Sequence, residues 1–155
     1  MSHWTYKNKK VTEPPTNTFG FVYQITNLIS NKKYVGRKYF YSTRRKPLTA
    51  KQKREGRKRR TKVTTESNWR TYMGSCVPLL NDIKELGKEN FKFEILIYGE
   101  TKGQVNFLEE TVHHKFNVLI DSNYYNDSIG PRRFLGIKKD ENLFKKVVEH
   151  LENRK

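Results

Sequence analysis

Two short aromatic runs near the start of the chain restrict its fold more than any other feature. The first is Phe21-Val22-Tyr23 and the second is Tyr34-Val35-Gly36, so their tyrosines are eleven residues apart. A turn near Leu28-Ile29 between them predicts a β-hairpin. Because side chains alternate along a strand, Tyr23 and Ile25 should share one face. A register with Tyr34 nearly opposite Tyr23 would bring both rings to that face.

The charge of the chain favours a polyanionic partner. It contains 32 Lys and Arg against 16 Asp and Glu, which gives a formal net charge of +16. This excess favours nucleic acid first and an anionic membrane surface second. No apolar run approaches the roughly 20 residues of a membrane span. The first residues carry no apolar signal core, so we expect a cytoplasmic protein that is not secreted.

A strongly basic segment follows the hairpin. From Arg44 to Lys62 the chain has eleven Lys or Arg and a single acid, Glu55. Its apolar residues are too sparse to define a buried face, so we interpret residues 45–67 as an inserted, solvated loop that is mobile when free. Such a segment can become ordered on a phosphate backbone. We expect nucleic acid to contact these cations: Lys33, Arg37, Arg45, Lys51, Lys53, Arg54, Arg57, Lys58, Arg59, Arg60 and Lys62.

The pattern beyond the basic segment alternates helices and strands. Apolar residues at helical spacing predict a helix that Pro78 opens and Gly87 ends. A strand over 91–98 follows, and a second helix starts near Thr101. A clean apolar face predicts a last helix over 140–152.

This order of elements predicts an α+β fold. We expect a small central three-stranded sheet, antiparallel or mixed, flanked by helices. The central domain would span residues 19–130 and include the basic insertion. Residues 1–18 are polar and are interpreted as an N-terminal arm, and residues 131–155 as a C-terminal helical extension.

The second helix contains the acid best placed for chemistry. Glu109 directly follows Leu108 at the border of the apolar stripe, which suggests a position near the core boundary. A carboxylate there suits a hard divalent cation such as Mg²⁺, which accepts one or two carboxylates and keeps several waters. The alternative is an ordinary helix glutamate paired with a lysine. Glu110 lies about 100° further round the helix and should be more exposed.

His113 and His114 raise the question of a zinc site. Adjacent histidines point about 100° apart on a helix, so they do not easily bind one ion together. A third ligand at a suitable spacing is missing, so zinc is not expected. His113 lies one turn after Glu109 and could support it without touching substrate.

Taken together, these residues resemble the signature of the GIY-YIG nuclease family, most closely its small stand-alone phage endonucleases of the homing type. Arg44, Glu109 and Asn126 follow the two tyrosine runs in the family's order. Phe21 replaces the family's first glycine, and valines replace both isoleucines. The resemblance extends from about Gly20 to Ile129.

The resemblance implies hydrolysis of phosphodiester bonds in DNA with one divalent cation, Mg²⁺ or Mn²⁺, per active site. Tyr23, or alternatively Tyr34, would act as the general base. Arg44 would bind the scissile phosphate, and Glu109 would hold the cation. Asn126 would contact the phosphate or position a neighbouring group. The expected partner is double-stranded DNA in the bacterial or phage-infected cytoplasm, with a homodimer on DNA as an open alternative.

Two other classes of protein are also consistent with the sequence. A catalytically inactive nucleic-acid-binding protein could keep the same fold. A basic RNA-binding protein would explain the charge, but it would leave the ordered tyrosines, Arg44 and Glu109 as a coincidence.

Overall fold

A computed structural model describes residues 1–129, the backbone of 132–133, and the isolated positions 145, 149, 152 and 153. The elements in chain order are β1 Thr5–Tyr6, β2 Lys9–Lys10, β3 Gly20–Asn27, β4 Lys33–Tyr39, β5 Tyr41–Lys46, α1 Ala50–Arg54, β6 Thr61–Glu66, α2 Val77–Leu86, a 3-10 turn Lys88–Asn90, β7 Phe91–Gly99, α3 Lys102–Lys115, β8 Ser128–Ile129 and β9 Arg132–Arg133.

A mixed sheet forms the framework of the described part of the chain. Its strand order is β2-β1-β7-β3-β4, with β3 antiparallel to both of its neighbours and β1 parallel to β7. The predicted α+β class with a small central sheet is confirmed, but the sheet has five strands instead of three. The N-terminal residues supply the two additional strands.

Each face of the sheet has its own core. Alternation along β3 sends Phe21, Tyr23 and Ile25 to one face, as expected, where they pack with residues of α2. Val22 and Val35 pack on the other face with the segment that follows α3. The whole of β3 is buried or half-buried, because it lies between β4 and β7 and is covered on both faces.

Within the predicted N-terminal arm, residues 1–18, the strands β1 and β2 join the sheet and Trp4 lies in the core. Trp4 is fully buried, and its Nε1 donates a hydrogen bond to the carbonyl of Trp69 at 2.7 Å. Its ring centroid lies 5.2 Å from that of Phe21 and 4.8 Å from that of Tyr23. One large aromatic side chain thus anchors a segment whose average composition is polar.

The predicted solvated loop, residues 45–67, contains regular structure. β5 pairs with β6 in an antiparallel hairpin, and α1 lies between these strands. Thr49 caps α1, and Gln52 completes a capping box. The side chains of this hairpin are exposed or half-buried, as its composition predicted. At the base, Ser67 N donates to Phe40 O at 2.8 Å, so the hairpin projects from the end of β4.

The two long helices appear where the sequence predicted them. α2 ends at Gly87, whose φ of 87° favours glycine. In α3 the buried residues are Val105, Glu109 and His113, whereas Leu108 of the predicted apolar stripe is only partly buried. The predicted helix over 140–152 falls largely outside the described residues. Within the part that is described, no helix is long and apolar enough to cross a membrane.

Candidate active site

A polar cavity of about 260 Å³ opens at the edge of the sheet beside β4. It brings together four of the five predicted catalytic residues, which come from both faces of the sheet and from the segment after α3. The lining residues are Tyr23, Tyr34, Arg37, Tyr72, Ser75, Glu109, His113, Asn126 and Ser128. The fifth predicted catalytic residue, Arg44, does not line it.

The register of β3 and β4 fixes both tyrosines on one side of this cavity. Tyr23 pairs with Gly36 and Tyr34 pairs with Ile25, so the tyrosines are offset by two residues instead of being opposite. Their rings still share a face, with centroids 6.2 Å apart. A Cβ atom on Gly36 would lie 2.6 Å from the Tyr23 hydroxyl oxygen, so the ring of Tyr23 requires a glycine there.

Burial sets the acidity of the two phenols. It raises the pKa of Tyr23 well above the ordinary value of 10.0, and the nearby Tyr34, Tyr72 and Glu109 act in the same direction. Burial likewise raises the pKa of Tyr34 to about 12. Both phenols are therefore protonated at neutral pH in this arrangement.

Glu109 is held by an ion pair with Arg37. Nη1 of Arg37 donates to Oε2 of Glu109, whose side chain is only 9% exposed. Nε of Arg37 donates to Oη of Tyr39 at 3.1 Å. Burial acts to lower the pKa of Arg37, but Glu109 and Tyr39 outweigh it and the pKa is raised. The guanidinium is therefore charged, and it pairs with the side chain of Glu109 inside the cavity.

Arg44 lies in a second cavity, which adjoins the first. It is exposed on β5, opposite Val63. This second cavity has a volume of about 730 Å³ and is also lined by Lys38, Tyr39, Ser67 and Lys102, among others. Arg37 and Tyr72 line both cavities, so the two cavities are adjacent. The structure thus places Arg37 nearer to Glu109 than the predicted arginine.

Asn126 and His113 hold the backbone of the edge strand. The side chain of Asn126 accepts from Val35 N at 3.0 Å and donates to Val35 O at 2.8 Å. Nε2 of His113 donates to the same carbonyl oxygen at 3.0 Å. Burial lowers the pKa of His113, so its ring is neutral at neutral pH. Both side chains therefore fix the position of β4 immediately before Gly36.

A match to a model of a known protein family identifies the family of this chain. The model described as "Putative endonuclease segE, GIY-YIG domain" matches residues 4–129. The chain belongs to the GIY-YIG nuclease family. It is accordingly a nuclease domain of the hydrolase class, as the resemblance implied. The match includes residues that precede β3, in line with the burial of Trp4. No curated protein and no solved structure matched significantly.

GIY-YIG nucleases generally depend on a divalent metal, and the cavity fits a hard cation. Glu109 supplies its one carboxylate, and five hydroxyl-bearing side chains line the cavity together with Arg37, His113 and Asn126. Mg²⁺ is commonly held by one or two carboxylates, with waters and substrate phosphates completing the shell. Nδ1 of His113 is a buried acceptor with no hydrogen-bond partner in the described residues, which a cation-bound water would satisfy. Within those residues no cluster of three or more His, Cys, Asp or Glu that could hold a metal ion is found.

Sequence reasoning missed three residues of this GIY-YIG cavity. Tyr72 and Ser75 come from the segment between the basic hairpin and α2, and Ser128 comes from the end of the domain. Arg37 was predicted only as a nucleic-acid contact. It directly follows Gly36, the partner of Tyr23 in the sheet, so its side chain lies on the opposite face of β4 from Tyr23.

Proposed function

We propose that the protein is a metal-dependent DNA endonuclease whose active site is the cavity around Glu109. One observation carries this proposal: a buried carboxylate, a guanidinium and two phenols share a cavity at the open edge of a GIY-YIG sheet. The net charge of +16 supports a polyanionic substrate. We propose double-stranded DNA as that substrate, and a phage homing-type role and a homodimer on DNA remain proposals with it.

Glu109 would hold one divalent cation, Mg²⁺ or Mn²⁺. Such a cation, when bound, polarises a phosphate and stabilises the leaving oxygen. Arg37 contacts Oε2 of this carboxylate, so a cation would bind through Oε1 or displace the guanidinium. Arg37 lines the same cavity, where its fork of donors suits the scissile phosphate. We therefore propose Arg37 for the phosphate contact and Arg44 for binding the adjacent DNA.

Tyr23 is proposed to orient the attacking water and to take its proton at Oη, with Tyr34 as the alternative. Burial opposes this role because it favours the protonated phenol. A nearby positive charge favours the phenolate, and Arg37 lines the same cavity. If a phenolate is the base, the cleavage rate should rise with pH through the neutral range. A rate that does not change with pH would contradict it.

The proposal is tested by cleavage of supercoiled plasmid with Mg²⁺ or Mn²⁺ present. The unaltered protein should nick or cut the plasmid. Glu109→Gln should abolish cleavage while DNA binding, measured by fluorescence anisotropy, is largely kept. Glu110→Gln is the matched control, since Glu110 is exposed on the next position of α3, and it should cut normally. Cleavage by Glu109→Gln would refute the assignment of the cation.

Arg37→Ala and Arg44→Ala form a matched pair that separates the two arginines. Arg37→Ala should lose cleavage, and it should bind Mn²⁺ more tightly without DNA, as measured by electron paramagnetic resonance. The physical reason is that removing the guanidinium frees the carboxylate for the cation. Arg44→Ala should weaken DNA binding and leave Mn²⁺ binding unchanged. Loss of cleavage in Arg44→Ala alone would instead favour the role that the resemblance implied.

A catalytically inactive DNA-binding protein is the second candidate. The ion pair between Arg37 and Glu109 favours this candidate. If a divalent cation cannot compete with Arg37 for Glu109, the cavity binds no metal. In that case no DNA tested would be cut, and Mn²⁺ would bind only to Arg37→Ala.

A further inference from the structure

We propose that the β5–β6 hairpin enters the major groove of duplex DNA and selects where the neighbouring active site cuts. This inference rests on the proposed endonuclease function and extends it to target recognition. We call the two paired strands, 41–46 and 61–66, the ribbon.

One face of the ribbon is exposed along its whole length. Cross-strand partners share a face, so this face consists of three pairs of residues. Thr43 is opposite Thr64, and their hydroxyl oxygens are 3.3 Å apart. The complete face is Tyr41 with Glu66, Thr43 with Thr64, and Arg45 with Lys62.

The charges of this face are arranged for an anionic partner. Arg45 and Lys62 are direct cross-strand neighbours, and like charges in that position destabilise a hairpin. No acid of the ribbon stands between them. A two-stranded ribbon without a packed face is also only marginally stable in water. Binding of a phosphate-rich partner would relieve both costs.

The chemistry of the face suits base edges. The major groove admits a two-stranded β-ribbon, and there Arg or Lys binds guanine while Ser or Thr can bond to any base. Thr43 and Thr64 offer donors and acceptors next to the cationic pair Arg45 and Lys62. Beyond them, the cations that follow at the tip can contact phosphates, which positions the ribbon without reading sequence. They are Lys51, Lys53, Arg54, Arg57, Lys58, Arg59 and Arg60.

The base of the ribbon lies beside the proposed active site. The 730 Å³ cavity is lined by Tyr41 to Arg44 from one strand and by Thr65 and Glu66 from the other. It shares Arg37 with the cavity around Glu109. Phe40 and Trp69 anchor this base, because both are fully buried with centroids 5.0 Å apart. DNA held on the ribbon would therefore lie at a fixed distance from Glu109.

The first test measures sequence preference by selection from a pool of randomised duplexes, using the Glu109→Gln protein in buffer without divalent cations. This background keeps the DNA intact, so the result does not depend on catalysis. The selected sequence should bind about tenfold more weakly when Thr43→Val and Thr64→Val are added, because removing a hydrogen bond to a base lowers discrimination. Valine keeps the size and strand propensity of threonine, so the hairpin should remain. Circular dichroism checks this.

The matched control changes the tip of the hairpin. Lys51→Gln with Lys53→Gln should weaken binding to selected and unselected duplexes equally, as phosphate contacts do. If this control changes the preferred sequence and the threonine pair does not, the ribbon is not the reading element and the proposal is overturned. Absence of any preferred sequence would overturn it as well.

The second test identifies the groove. A duplex whose pyrimidines carry a bulky C5 substituent has a filled major groove, and it should bind about tenfold more weakly. Saturation with the minor-groove ligand netropsin should leave binding unchanged. The reverse pattern would overturn the proposal. Plasmid cleavage by the unaltered protein tests the endonuclease function separately. If the plasmid is cut but filling the major groove does not weaken binding, only the proposal for the ribbon is refuted.

Discussion

The N-terminal segment, residues 1–18, and the basic hairpin, residues 41–66, are both rich in polar residues but occupy opposite positions in the structure. Trp4 places the first segment in the core, where its side chain is fully buried. The strands of the hairpin bury no side chain. The difference shows that one well-placed aromatic residue outweighs an otherwise polar segment, because burial energy depends on the apolar area of particular side chains.

The two regions also differ in their relation to the active site. The N-terminal segment contacts a residue that lines the active site, since Nε2 of His3 donates a hydrogen bond to the carbonyl of Tyr72 at 3.0 Å. The hairpin borders it from the solvent side. We therefore expect changes in the first region to reduce stability and changes in the second to reduce DNA binding.

The largest expected effect is on stability. Trp4→Ala should lower the free energy of unfolding by about 3–5 kcal/mol, because it leaves a cavity among Phe21, Tyr23 and Phe93. Urea unfolding measures this decrease. Tyr41→Ala is the matched change in the hairpin and should alter stability by no more than about 0.5 kcal/mol. A similar decrease in both variants would remove the distinction between the regions.

The next effect concerns the salt dependence of DNA binding. Arg59→Gln with Arg60→Gln should flatten the slope of log K against log salt by about 0.9 for each phosphate that the protein no longer neutralises. Lys9→Gln with Lys10→Gln removes the same charge from β2, and its slope should stay unchanged. Fluorescence anisotropy over a salt series gives both slopes. Equal flattening by the two pairs would mean that DNA also contacts the N-terminal segment.

The smallest expected effect is a pH dependence of stability. Burial, with a contribution from Lys88, lowers the pKa of His3 from 6.5 to about 4. The folded state therefore binds fewer protons than the unfolded state between these values. This contribution to stability should be present above pH 6.5 and be lost as the pH falls towards 4. His3→Gln should lack that part of the pH dependence in thermal unfolding, whereas an unchanged profile would contradict it.

Local patterns predicted the parts of the fold that depend on neighbours in sequence. The hairpin of β3 and β4, the helix that ends at Gly87, and the strand starting at Phe91 all follow from alternation, helical spacing and glycine. The location of Glu109 at the core also agrees with its place beside the apolar stripe. Its role as a metal ligand stays a prediction.

Long-range contacts decided what local patterns left open. The number of strands depended on where Trp4 packs, 65 residues from its hydrogen-bond partner Trp69. The two-residue offset between Tyr23 and Tyr34 depended on the length of the turn. No spacing rule identifies a pair such as Arg37 and Glu109, which are 72 residues apart in sequence.

The sequence by itself thus determined the family, the class of fold and four of the five predicted catalytic residues that meet in the cavity. All three depend on the types of residue and their order along the chain. Only the tertiary structure decided which arginine reaches Glu109. Arg37 and Arg44 are both cations near the second tyrosine run, and their sequence positions do not separate them. The separation comes from β4, which carries Arg37 to the sheet edge facing α3, and from the hairpin, which carries Arg44 out to solvent.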